Sequence, residues 1–287
     1  MSIELPGFPA SHPPEALRAE TEAMSDAWVE VLTQRLGLGL RGIYRKGSAQ
    51  KRWDSRIDYV PELSDVDIHV AFTSDADVER VDDIEAAIEI SQAVLAAYRQ
   101  RVPRPLHIPK PQFVVANQLD ALPDIMPSPA ETVATLWGEP YHGRLLTEEE
   151  RAGQRARSRE QLSVHDAFLK ALPLRVIDRP GALSAALLGE MNWRLSPVAP
   201  RVLESLGVSY EEAWTLNRTA LVRALEKRGL EELAEAYAAY YLAGWDAFLA
   251  GAEGRETGSA LPVVRAGVRV IELGRAFVAS LEAAPAS

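Results

Sequence analysis

The sequence predicts an α+β fold in which a mixed sheet with helices is followed by an all-α helical bundle. Three observations predict it. Residues 65–70 alternate strictly between polar and apolar side chains, strand and helix patterns are mixed up to about residue 125, and beyond Ser128 every recognisable pattern is helical. The expected division is therefore a sheet-bearing domain over 1–126 and a bundle over 127–287, two ordinary domains in a chain of 287 residues.

The elements follow in order. Residues 17–36 read as a helix with Met24, Trp28, Val31 and Leu32 on one face, ended by the glycines at 37 and 39. A short strand is expected over 40–44. After a polar loop, Val66, Ile68, Val70 and Phe72 alternate with Asp65, Asp67, His69 and Ala71, the period-2 mark of a half-buried strand. Residues 77–101 place Val81, Ile84, Ile88, Leu95 and Tyr98 on one helical face, and Pro103 and Pro105 stop that helix. A third strand is expected over 112–116, and Pro123, Pro127 and Pro129 mark a linker.

In the second half, Thr147 with Glu150 and Ser209 with Glu212 each fit a reciprocal capping box, which fixes two helix starts. Further helices are expected over 181–193, 197–206, 231–250 and 261–281, with Gly207, Gly229 and the 251–254 stretch as breaks.

Composition narrows the function. Lys and Arg total 31 against 41 Asp and Glu, a net charge of −10, which argues against broad nucleic-acid binding because a phosphate-neutralising surface needs excess positive charge. The absence of cysteine removes disulfides, thiolate metal sites and cysteine nucleophiles, so an expected metal is a hard cation held by oxygen. No apolar run is long enough to span a bilayer, and residues 1–14 lack the basic and apolar succession of an export signal. The expected location is cytoplasmic, with no membrane partner.

One constellation carries chemistry: Gly47-Ser48, a loop, and Ser64-Asp65-Val66-Asp67 at the head of the alternating strand. Side chains two apart on a strand share a face, so Asp65 and Asp67 can serve one site for Mg²⁺ or Mn²⁺. A Gly-Ser turn lets backbone amides and the Ser48 hydroxyl approach the phosphates of a nucleotide. Between Arg41 and Arg56 stand six basic residues (Arg41, Arg45, Lys46, Lys51, Arg52, Arg56) against the single acid Asp54, a local positive excess suited to a triphosphate. Trp53 in the same stretch fits either a packed plug or a base-stacking platform.

Gly47, Ser48, Asp65 and Asp67 together resemble the motif of the polymerase-β-like nucleotidyltransferase superfamily, a Gly-Ser turn followed by a strand bearing Asp-x-Asp. The order of catalytic domain and helical bundle is most similar to aminoglycoside adenylyltransferases and uncharacterised bacterial relatives. The resemblance is specific over residues 40–72 and weak elsewhere. It implies a palm-like mixed sheet and a metal-dependent transfer of a nucleoside monophosphate, AMP from ATP, onto a hydroxyl of a small-molecule acceptor, with pyrophosphate released. Asp65 and Asp67 would hold the metal; Gly47, Ser48, Lys46, Lys51, Arg52 and Arg56 would bind the nucleoside triphosphate.

Two departures from the family pattern stand out. The loop over 49–63 is longer than usual, and Gln112 occupies the place of the third carboxylate, keeping its shape without its charge or proton affinity. Asp58, Glu62, Asp120 and Asp124 are the candidates for a displaced acid. The alternative that Gln112 supports is a nucleotide-binding or protein-interaction module, antitoxin-like, that has lost turnover.

Three further features read as structure. His69 shares the polar face of the two aspartates and is expected to support them. Arg159 and His165, six apart on a helix, faintly resemble the Arg-spacer-His motif of HEPN ribonucleases but fall on opposing sides of a turn. Trp193, Trp214, Tyr237, Tyr240, Tyr241 and Trp245 are expected in the core of the bundle.

Overall fold

The computed structural model describes residues 2–120, 122, 125–180, 184–252 and 260–283. The chain divides into two compact units: Phe8–Arg52 with Ser64–Arg144, and Met1–Gly7 with Trp53–Leu63 and Leu145–Ser287. These units do not coincide with the ranges 1–126 and 127–287. The segment after the proline linker belongs with the sheet, and eleven residues of the long loop belong with the helices.

The first unit is an α+β body built on a four-stranded mixed sheet. Helix α1 (Pro14–Leu36) enters through Pro14 at its first position, where a missing N–H costs nothing, and ends at Gly37, whose φ is +53°. Strand β1 (Leu40–Lys46) pairs antiparallel with β2 (Asp65–Phe72), the strand that the alternation marks out. Two helices follow, α2 (Asp75–Asp82) and α3 (Ile84–Arg101), where the sequence reads as one. The break has a local cause. The Asp83 carboxylate accepts from Ala86 N at 2.9 Å, so the backbone resets in an extended conformation and a new helix starts under an aspartate cap.

Strand β3 (Lys110–Val115) runs parallel to β2, and α4 (Ala116–Asp120) follows at once. Asn117 binds both the N–H and the C=O of Phe72, continuing the β2 ladder with a side chain. Then comes β4 (Ala134–Gly138), which pairs antiparallel with β1 and completes the order β3-β2-β1-β4. This strand corrects the expectation that everything beyond Ser128 is helical. Its five residues are too few to show a period.

The two sheet faces differ in chemistry. Val66, Ile68, Val70 and Ile43 are fully buried on one side, each contributing about 1.5 to 3 kcal/mol of hydrophobic free energy. Helix α1 packs there, with Trp28 stacked on Phe113 at 5.4 Å between ring centroids. The link into β3 is fastened by Glu20 of α1, whose carboxylate accepts from Leu106 N, His107 N and His107 Nδ1. The other face carries the polar residues of β2.

The second unit is helical: α5 (Glu148–Ser163), α6 (Asp166–Asp178), α7 (Ser184–Leu195), α8 (Val198–Ser205), α9 (Tyr210–Thr215), α10 (Arg218–Glu226), α11 (Glu231–Ala252) and α12 (Ala260–Ala283). Thr147 and Glu150 form both arms of the expected capping box, and Ser209 caps Glu212 N with its hydroxyl. Gly207 and Gly229 break the chain at positive φ, whereas Gly251 continues α11; residues 181–183 and Gly254 lie outside the described residues. Tyr237, Tyr240, Tyr241 and Trp245 are buried as expected, but Trp193 is exposed. No helix among the described residues is long and apolar enough to cross a membrane.

The segment Trp53–Leu63 belongs to this unit and is largely irregular, with one 3₁₀ turn over Arg56–Asp58. Burying an irregular backbone requires a partner for each polar group, and side chains supply them. Arg218 donates to Ile57 O at 2.9 Å, Trp245 Nε1 to Tyr59 O at 3.1 Å and Asn192 Nδ2 to Leu63 O at 2.8 Å. Leu63 lies so close to α11 that a Cβ at Gly244 would meet its Cδ1 at 2.4 Å. Asp58 accepts four hydrogen bonds, from the amides of Asp54, Ser55 and Thr219 and from the Thr219 hydroxyl. Replacing it with alanine strands these buried donors, so Asp58→Ala is expected to lower the unfolding free energy by about 3 kcal/mol in urea titrations. A loss below about 1 kcal/mol would show that water replaces the carboxylate.

Candidate functional site on the polar face of the sheet

Ladder register determines which side chains share this face, because paired residues on neighbouring strands point the same way. Lys46 pairs with Asp67 and Asp67 with Gln112, while Tyr44 pairs with His69 and His69 with Val114. Asp65 pairs with Lys110. Lys46, Asp65, Asp67, His69, Lys110 and Gln112 therefore stand together. Arg45, one residue from Lys46, turns to the opposite side, where its guanidinium bonds Ser25 Oγ and Gln50 Oε1.

The Gly-Ser turn closes on the second aspartate. Gly47 has φ +75°, a conformation that strains any residue with a Cβ, and that Cβ would lie 1.7 Å from Asp67 Oδ2. Gly47 O accepts from Gln50 N and Lys51 N in the turn that follows. Arg18 of α1 holds that turn from below, donating to Ala49 O and Lys51 O. Ser48 sits beside Gly47 on this anchored turn.

Each acid meets a lysine. Lys110 Nζ lies 2.9 Å from Asp65 Oδ1, in a pair open to solvent on both sides. Lys46 Nζ donates to Ser128 Oγ at 3.1 Å, and burial lowers its pKa against the pull of Asp67. His69 is driven further. Burial and the charge of Lys46 push its pKa down to about 3, so the imidazole is neutral and supports the face without carrying charge. Tyr141 covers the next row, edge-on to Tyr44 at 5.6 Å, with its hydroxyl on Ser128 O.

The residues expected from the sequence separate into two groups. Gly47, Ser48, Lys46, Asp65, Asp67 and Gln112 are assembled on or beside one face; Lys51 and the exposed Arg52 follow the turn. Arg56 belongs to the helical unit, where its Nε is buried without a hydrogen-bond partner, and Trp53 stacks on Tyr59 at 4.5 Å as a packed plug. The basic stretch 41–56 is thus not one patch. Among the candidates for a third acid, Asp58 is consumed by its four donors and Glu62 is an exposed residue of the helical unit at φ +68°. Asp120 ends α4, its side chain undescribed, and Asp124 lies outside the described residues.

Among the described residues no group of three or more His, Asp or Glu could hold a metal ion. Two aspartates remain, with the chemistry of a cation site that borrows oxygens from its ligand. Sequence reasoning missed Lys110, Ser128 and Tyr141. Only the register reveals the first, and the other two arrive with a strand whose partner is far along the chain. No protein-family model matches the chain, and a search of curated proteins returns no match.

Gly47→Ala is expected to destabilise the fold by more than the 1 to 2 kcal/mol or so of left-handed strain alone. In an Asp67→Ala background the loss should shrink toward that strain value, as a double-mutant cycle in urea would measure; equal losses in both backgrounds would separate turn from carboxylate. The His69 pKa supplies a second expectation. An unfolded histidine titrates near about 6.5, so His69 contributes stability that is complete above that pH and is lost as pH falls toward 3. In the folded protein its imidazole NMR signals should show no inflection across the neutral range, and one near the ordinary histidine value would refute the buried, neutral assignment.

Proposed function

We propose that the chain is a metal-dependent nucleotidyltransferase that moves a nucleoside monophosphate, AMP from ATP, onto the hydroxyl of a small acceptor. The observation that carries this reading is the contact between Gly47 and the Asp67 carboxylate, which makes the glycine turn and the acidic strand one structure. Asp65 and Asp67 would hold Mg²⁺, a cation commonly bound by one or two carboxylates plus substrate phosphates. When bound, the ion would supply charge neutralisation at the phosphates undergoing substitution.

The chain's own residues have distinct tasks in this reading. The Gly47-Ser48 turn receives the phosphates, held in place by Arg18 on its carbonyls. Lys46, Lys51 and Arg52 meet the charge that accumulates on departing pyrophosphate. The acceptor oxygen attacks the α-phosphorus, the bond to the bridging oxygen breaks, and the hydroxyl proton leaves to solvent, because Gln112 offers an amide where a carboxylate would take it.

A second reading rests on the same amide and on Lys110. With Gln112 aligned to Asp67 and Lys110 paired to Asp65, the face suits nucleotide binding with little transfer. One experiment separates the two: the protein with Mg²⁺ and each labelled nucleotide, with and without candidate acceptors, assayed for binding and for pyrophosphate release. Asp67→Asn should abolish Mg²⁺-dependent nucleotide binding. Gln112→Glu, nearly isosteric, should raise single-turnover transfer toward the factor of about 10² to 10⁴ that general-base assistance supplies. Brisk wild-type turnover that Gln112→Glu slows would place the base elsewhere, and absence of nucleotide binding altogether would overturn both readings.

A further inference from the structure

Strand β3 is an edge of the four-stranded sheet, paired on one side with β2. Pro111 fixes which way its backbone groups point. A proline is tolerated in a strand where its missing N–H would face away from the ladder, and backbone groups alternate in direction from one residue to the next. The alternation turns Gln112 and Val114 toward β2, and Pro111, Phe113 and Val115 outward. Neither Phe113 N–H nor Val115 N–H finds a partner outside the β2 ladder among the described residues. Open ladder groups of this kind are a template for a further strand.

A cavity of about 430 Å³ lies along the same edge. Phe113, Val114 and Val115 all line it, and three consecutive residues of a strand do so only along its backbone edge, since their side chains alternate between faces. The end of α2 forms one wall through Asp82, and α4 with the turn after it forms the other through Leu119 and Leu122. Leu122 is exposed, as is Ile108 just before the strand. The stack of Phe113 on Trp28, 5.4 Å between centroids, holds the edge in place from the α1 side.

Charge selects the occupant. The Asp82 carboxylate has no ion pair or hydrogen bond among the described residues, and Asp83 and Glu85 are exposed beside it. Arg80, the basic residue of α2, is turned away onto the carbonyls of Arg35 and Leu36. A second copy of the chain would bring the same acids to its own edge, and a net charge of −10 with them. An extended segment with Lys or Arg between apolar residues instead answers the open ladder, the apolar side chains and the acidic wall together. We propose that the groove beside β3 binds a partner protein through a peptide segment of alternating basic and apolar residues, which joins the sheet as a fifth strand.

The test uses the full ¹⁵N-labelled chain and two acetylated hexapeptides, one alternating Lys and Val and the other Glu and Val, titrated at matched ionic strength. Saturable binding of the Lys-Val peptide is expected. It should slow amide hydrogen exchange at Phe113 and Val115 by at least about tenfold, and leave Gln112 and Val114, already paired to β2, little changed. Asp82→Lys, a substitution at an exposed helix end, should reverse the preference so that the Glu-Val peptide binds more tightly. Asp67→Asn should bind the Lys-Val peptide as wild type does, which separates this groove from the nucleotide site. Binding of neither peptide, or of both equally, overturns the proposal in the wild-type chain alone. A Lys-Val peptide N-methylated at every residue that binds as well as its parent also overturns it, because a ligand held by side chains alone adds no strand. Protection of Phe113 and Val115 that rises with protein concentration before any peptide is added would assign the edge to a second copy instead.

Discussion

The missing Cβ at residue 47 is the constraint on which the polar face depends. Gly47 adopts a left-handed φ directly after β1, and its Cα lies against the Asp67 carboxylate of the next strand. Any larger residue would have to move that carboxylate, which stands on the residue paired with Lys46 in the β1-β2 register. A slip of one residue would turn Asp65, Asp67 and His69 inward and Val66, Ile68 and Val70 outward. The three buried apolar side chains and the single glycine thus specify the same register from opposite faces, which is the agreement between local and global preference that a foldable sequence shows.

A second commitment lies between the two halves of the motif. The chain leaves the sheet unit after Arg52 and returns at Ser64, and the residues between are packed as the core of the helical unit. They continue the basic stretch that reads as a ligand loop, and they carry Trp53, Arg56 and Tyr59. Burial gives it another meaning: Ile57, Asp58, Tyr59 and Val60 are almost wholly inaccessible, and Arg218, Trp245, Asn192 and Thr219 supply the polar partners. Arg218 does double duty, lying 3.9 Å over the Tyr241 ring while it bonds Ile57 O.

Much of this was legible where one face alone decides the pattern. The β2 alternation, the α1 face and the Thr147 cap depend on neighbours within a few residues, and the structure places them as the sequence reads. The expectations that changed depend on distant partners. Strand β4 exists because Thr135 pairs with Tyr44 and Trp137 with Ile43, and five residues in a proline-rich neighbourhood carry no trace of that pairing. The α2-α3 break is local, yet a helical apolar period continues through it and hides the Asp83 cap. In the site, Gly47, Ser48, Asp65 and Asp67 were legible from spacing. Lys110 was not, since a strand's period tells which residues share its own face and nothing about which residue of another strand lies beside them.

The pairing of acids with lysines bears on how such a face could change partners. Asp65 and Asp67 stand with Lys110 and Lys46, so the charges on this face balance, and the neutral Gln112 and His69 leave the balance undisturbed. A carboxylate at 112 would have added an uncompensated charge in the row of Asp67. The two lysines are held unequally. Lys46 is half-buried and bonded to Ser128, whereas Lys110 is 41% exposed in a pair worth at most about 1 kcal/mol. Under the proposed reading, Asp65 would be free to hold a divalent cation once Lys110 moves off it, and the Lys110 ammonium would remain available to phosphate charge. The exposed ion pair then costs little to break, and Lys46, held on Ser128, keeps the electrostatic frame of the site in place while the other lysine moves.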